Sequence, residues 1–213
     1  VARQLAGRLG FRFLDTGAMY RAVALACLRR TVSLDDVLAI AAVARDARFS
    51  FQGERVFLDD ADVTEAIRTP DLAKAASLVA VVPEVRSEMV HLQRKAADGI
   101  SIVTEGRDQG TIVFPKAERK FFLIAAPEER ARRRQLDLRR QGADLPLETI
   151  LAQIADRDAR DVSRAVAPLR PADDAIVIDT SEMDPNAVVQ KLETFVRESL
   201  PCAPCGNASS TCG

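Results

Sequence analysis

Ile100-Ser101-Ile102-Val103-Thr104-Glu105-Gly106-Arg107-Asp108-Gln109-Gly110-Thr111 is the stretch whose reading decides the fold of this chain. Ile100 to Thr104 is a short, mostly β-branched run that predicts a buried strand. The residues after it set an arginine beside a carboxylate on a turn that two glycines allow to bend close to a ligand. An arginine fork can give two N–H groups to one phosphate. A second turn of the same kind, Asp15-Thr16-Gly17-Ala18-Met19-Tyr20-Arg21, follows the apolar run Phe11 to Leu14. Either turn alone could be a surface Asp–Arg pair. Two of them, each at the end of a strand, favour a phosphorylated ligand and point to a nucleotide, with Thr16, Tyr20, Arg21, Arg107 and Asp108 as candidate ligands.

Around these turns, strands and helices alternate. Val1, Leu5 and Leu9 share one helical face that Gly10 ends, so the chain opens inside a helix. With no leading strand, cap or initiator Met, it is expected to be a piece of a longer protein. A helix follows through Arg30 and another runs over about 34–46. Phe49-Ser50-Phe51 and Val56-Phe57-Leu58, separated by Gly53, predict a hairpin, with a third short strand near Val63. Thr69 or Pro70 opens a helix, and Pro83 opens another that runs to about Ala97. Strands are predicted over 120–124 and 175–178, and helices from Glu128, over 147–163 and over 186–200. The alternation predicts an α/β fold, a mostly parallel sheet with helices on both faces and ligands beyond the carboxyl ends of the strands.

The chain has 213 residues, 47% of them hydrophobic, enough for one sizeable core. Thirty basic and 31 acidic residues leave a net charge of −1, so no global field draws the protein to nucleic acid or to a membrane. No apolar stretch approaches the roughly 20 residues that cross a bilayer, and the expected location is cytoplasmic. Cys27 falls on an apolar helical face. Cys202, Cys205 and Cys212 lie in the segment 201–213, whose composition predicts a disordered tail; their ligand-like spacing lacks a fourth partner, so no metal site is assigned. His91, the lone histidine, reads as a helix-surface residue.

Two further clusters carry charge. Arg157, Arg160, Asp161 and Arg164 fall on one side of a helix, where they could grip a sugar phosphate or form a solvated ion-pair face. Arg130, Arg132, Arg133 and Arg134, with Arg139 and Arg140, lead into a Gly/Pro loop and suit a lid that closes over phosphates.

Together these segments resemble the bacterial cytidylate kinases, P-loop nucleoside monophosphate kinases that move the γ-phosphoryl group of ATP onto CMP or dCMP. The resemblance rests on 14–21, on Ile67-Arg68-Thr69 with Ala75-Ala76-Ser77, on 106–111, and on 157–161 through 164–169, in that order. It implies a P-loop kinase-like parallel sheet flanked by helices, with a nucleotide-binding insert over about 31–76 and a helical lid over about 130–148, within one domain over 1–200. It gives Arg21, Arg107 and Arg164 to the CMP phosphate, Ser77, Arg86 and Asp108 to the cytosine edge, and Arg157 and Asp161 to the ribose. Arg130 and Arg134 match lid positions and, with Arg164, are assigned to the transition state. Mg²⁺ is implied with ATP, and a monomer is expected. Family members open with a strand and Gly-x-x-x-x-Gly-Lys-[Ser/Thr], after which Val1 aligns. The chain is therefore expected to lack the first strand, the phosphate cradle and ATP-dependent turnover. The competing readings are a non-catalytic CMP-binding remnant and a kinase for UMP or another small acceptor.

Overall fold

A computed structural model describes residues 1–53, 55–140, 142–163 and 169–199. Helix α1 (Ala2–Leu9) ends at Gly10, which adopts the left-handed conformation (φ 70°) that lets the chain turn at once into β1 (Arg12–Asp15). Then come α2 (Thr16–Arg29), α3 (Val37–Asp46), β2 (Phe49–Gln52), β3 (Arg55–Leu58), β4 (Ala61–Asp62), α4 (Pro70–Val79), α5 (Pro83–Ala97) and β5 (Ile102–Glu105). A single π-helical turn (Gln109–Val113) precedes β6 (Phe121–Ile124), α6 (Pro127–Arg140), α7 (Leu147–Ser163), β7 (Ile176–Asp179) and α8 (Pro185–Arg197).

The helix starts follow from local chemistry. Asp15, Asp36, Thr69 and Asp184 accept bonds from orphan N–H groups of α2, α3, α4 and α8, and proline occupies the first turn of α4, α5 and α8. The segment 15–21, expected as a turn, is instead a strand end and a helix start: Asp15 closes β1 and caps α2 in one step. The third strand of the insert falls at Ala61–Asp62, just before the expected Val63.

The architecture is α/β, with parallel strands flanked by helices. The described strands form two parallel ladders, β1–β5 and β6–β7, beside an antiparallel β2–β3–β4 sheet. Leu14 pairs with Thr104 and Asp15 with Glu105 in the first ladder, and Leu123 with Ile178 in the second. Among the described residues no strand bridges β5 to β6, so the two edges exchange no ladder bonds. A cleft of about 1430 Å³ is lined by β5 and β6 together with residues of the π-turn.

Three cores hold these parts. The largest surrounds α2, whose Met19, Ala22, Val23, Ala24 and Cys27 are fully buried against side chains of α3, β3, α4 and α5. A second joins Leu5 of α1 and Ile178 of β7 to Val188, Val189 and Leu192 of α8. The third, Ala131, Leu138 and Ile150 with surrounding leucines, lies within the α6–α7 hairpin alone. His91 is exposed on α5. Cys202, Cys205, Cys212 and the tail 201–213 lie outside the described residues.

Candidate functional site

The register of β1 and β5 brings the two arginine segments together. Asp15 stands opposite Glu105, and Thr16 Oγ1 donates to the carbonyl oxygen of Glu105 at 2.6 Å, tying the first turn of α2 to the chain just before Gly106. Asp15 works twice: Oδ1 accepts from Ala18 N at 2.8 Å, and Oδ2 pairs with Arg21 Nη2 at 3.2 Å. That bond uses only part of the fork, because Arg21 Nε is buried with no acceptor among the described residues.

Beside Arg107, Asp108 takes a different partner. Its carboxylate forms a short ion pair with Arg86 of α5, each side chain 6% exposed, and Arg86 Nη1 also donates to the carbonyl oxygen of Ala80 at 3.0 Å. Two opposite charges taken out of water this far are tolerated because each satisfies the other. The Arg86 guanidinium lies 5.8 Å from the centre of the Tyr20 ring, next to Arg21 in α2. Ser77, assigned with this pair in the sequence, spends its hydroxyl proton on the carbonyl oxygen of Lys74 (2.6 Å), the usual back-bond of a serine inside a helix. Its oxygen remains an acceptor.

Helix α7 supplies two carboxylates from one face, three residues apart. Arg107 Nε reaches Asp161 Oδ2 at 3.0 Å, and Arg157 Nε approaches the same oxygen at 3.9 Å. Asp161 is nearly fully buried, while Arg107 is about one-third exposed. One turn earlier, Asp158 pairs with Arg130 Nη2 of α6 at 2.5 Å, and Arg130 Nε is a second buried donor without an acceptor among the described residues. Arg107, Arg130 and Asp158 all line the cleft beyond β5 and β6. Arg21 and Arg107 therefore sit at paired strand ends, each turned to its own aspartate. Arg164 and the side chain of Arg160 lie outside the described residues.

Arg133, read in the sequence only as one of the lid arginines, is the most engaged of the arginines on α6. It pairs with Glu129 at 2.9 Å and donates to the carbonyl oxygens of Thr180 (2.5 Å) and Met183 (3.1 Å), fixing α6 to the loop after β7. Arg134, one residue on, is exposed and makes no bond to the described residues. Adjacent residues point about 100° apart around a helix, so only one of the two can face that loop. Among the described residues no group of three or more His, Cys, Asp or Glu could hold a metal ion. None of their helices is long and apolar enough to cross a membrane.

The arrangement is a row of arginines at the carboxyl ends of parallel strands, each parked on a carboxylate, beside a buried guanidinium–carboxylate pair. It can bind phosphate through the arginines and read a hydrogen-bonding base edge through the pair. Comparison with known proteins identifies the family. The family model described as Cytidylate kinase matches residues 1–198. A cytidylate kinase of Caldanaerobacter subterraneus subsp. tengcongensis is 46% identical over 199 residues, covering 93% of this chain and 89% of that protein. One from Rhodopirellula baltica is 45% identical, covering 99% and 92%, and one from Vibrio cholerae is 44% identical, covering 92% and 89%.

Proposed function

The chain belongs to the cytidylate kinase family, and on that premise we propose which of its residues bind CMP or dCMP and assist transfer of the γ-phosphoryl group of ATP to it, giving ADP and CDP or dCDP. The observation that carries this assignment is the buried Arg86–Asp108 pair against Tyr20, one residue from Arg107. Cytosine offers an amino donor beside ring acceptors. Asp108 accepts from the amino group, Arg86 donates to the acceptors, and Ser77 offers an oxygen. Uracil would turn a carbonyl toward the carboxylate and leave buried groups unpaired, at about 1 to 3 kcal/mol each.

Arg21 and Arg107 take the CMP phosphate, joined by Arg164. Their aspartate partners hold the forks in place, and substrate phosphate completes the bonding that Arg21 Nε lacks. Thr16 and Tyr20 shape the wall around Arg21, and Arg157 with Asp161 holds the ribose. A phosphate oxygen of CMP is largely ionised near neutral pH and attacks ATP in line, so the chain needs no general base. The segment 130–148 acts as the lid, with Arg130 and Arg134 brought to the transferring group together with Arg164 to offset its developing charge, and 31–76 is the insert that closes on CMP. Magnesium accompanies ATP, where it neutralises the phosphates. The enzyme works as a cytoplasmic monomer whose site draws on its own residues, without nucleic acid or membrane.

Neither a CMP-binding remnant nor a UMP kinase gains support from relatives this similar over most of their length. ADP release by the full protein, measured with CMP, dCMP and UMP as acceptors, tests the assignment. Turnover with CMP and dCMP and little with UMP is expected. Release as fast with UMP, or none with any acceptor, would overturn it.

A further inference from the structure

Helix α5 buries two polar side chains seven residues apart on one face, Arg86 and Gln93, and the site described above uses only the first. Gln93 has no exposed surface. Its Oε1 accepts from Gln109 Nε2 at 3.0 Å, and its own Nε2 is buried with no partner among the described residues. A buried amide with an unpaired donor costs free energy that methionine of the same length would not. Packing alone therefore gives no reason for an amide here.

The bond it makes is directional. Gln109 folds back over the turn that carries Arg107: a Cβ built on Gly106 would lie 2.8 Å from Gln109 Cγ and Nε2, so the side chain rests directly on the Gly106 backbone. Gln109 Oε1 lies 3.2 Å from Thr104 Oγ1, which itself approaches the carbonyl oxygen of Leu14 in β1 at 3.3 Å. On the far side, Arg94 donates to the carbonyl oxygens of Ile112 (2.8 Å) and Val113 (2.9 Å), closing the π-turn. The segment is thus anchored at Thr104, at Asp108 by Arg86, at Gln109 by Gln93, and at its end by Arg94. Arg107 points away from these anchors, to Asp161 of α7.

We propose that Gln93 and Gln109 are positioning residues that aim Arg107 at the substrate phosphate, separately from the reading of the base by Arg86 and Asp108. The inference rests on the assignment of Arg107 to phosphate. Its test compares dissociation constants for CMP and for cytidine, which lacks the phosphate, in the full protein and in Gln93→Met, Gln109→Met, the double variant and Arg107→Met. Urea midpoints of the same proteins accompany them.

Each single glutamine variant should weaken CMP about tenfold, the order of one lost charge-assisted hydrogen bond, while cytidine changes by less than about twofold. The double variant should weaken CMP no further than the worse single, because the two amides act through one bond. Both partners are then apolar, so its urea midpoint should return toward that of the parent. Equal weakening of CMP and cytidine, or additive losses, would mean the amides serve only to hold the fold. If Arg107→Met leaves the CMP-to-cytidine ratio unmoved, the phosphate assignment itself fails. If Arg107→Met moves the ratio and the glutamine variants do not, the positioning role alone fails.

Discussion

Replacing Arg86 by methionine asks one side chain to account for both stability and selectivity. The substitution leaves the Asp108 carboxylate at a position 6% exposed and removes the donor to the carbonyl oxygen of Ala80. Stranding one partner of a buried ion pair costs about 3 to 5 kcal/mol, a large share of the roughly 5 to 15 kcal/mol that holds a typical domain together. For a chain of this length that is a fall in thermal midpoint of about 6 to 20 °C. Replacing both partners, Arg86→Met with Asp108→Leu, removes the stranded charge together with the pair and should recover most of the loss. Selectivity should not return with it. The double variant, folded again, should bind CMP little better than UMP, because the pair that tells an amino group from a carbonyl is gone and only the Ser77 oxygen remains. Urea unfolding and equilibrium binding of the two nucleotides separate these effects. A loss below about 1 kcal/mol in Arg86→Met would refute the claim that the pair is desolvated, and a double variant that still prefers CMP would refute its role in reading the base.

Asp15→Ala removes the cap of α2 and the partner of Arg21 together; urea unfolding should show a loss of about 0.5 to 2 kcal/mol. Ile150→Ala opens the small core of the α6–α7 hairpin, at about 2 to 5 kcal/mol; amide exchange should quicken in α6 and α7 and stay slow in α2. The Asp62 carboxyl in the β2–β4 insert is held down at about 2, chiefly by the Thr64 hydroxyl, then by the Thr64 N–H and by Arg55. A depressed folded value means that this support is complete above the unfolded value near 3.8 and is lost as pH falls through about 2. Asp62→Asn should therefore lower the urea midpoint at pH 6 and match the parent below pH 2, and an equal deficit at both pH values would contradict the linkage.

What the sequence made legible was local. The start of α4 at Thr69 or Pro70, the proline that opens α5 and the hairpin around Gly53 each depend on a few neighbouring residues, so pattern alone located them. The arginine segments were legible as strand ends for the same reason. Partners were not. Nothing in the spacing says that Arg107 rests on Asp161, that Arg130 rests on Asp158, or that Gln93 meets Gln109, because those pairings exist only once α5, α6 and α7 have packed. Arg133 and Arg134 are identical in composition, and only the rotation of α6 about its axis decides which one faces Thr180. Periodicity likewise identified the parallel strands without saying which edges pair, β1 with β5 and β6 with β7.

Equilibrium dissociation constants of the full protein for CMP and for UMP test the central claim most directly, since the two ligands share a phosphate and a ribose and differ at the edge that Arg86 and Asp108 would meet. One or more buried groups left unpaired by uracil, at about 1 to 3 kcal/mol each, should make CMP bind at least about fivefold tighter. UMP binding as tightly as CMP would contradict the account.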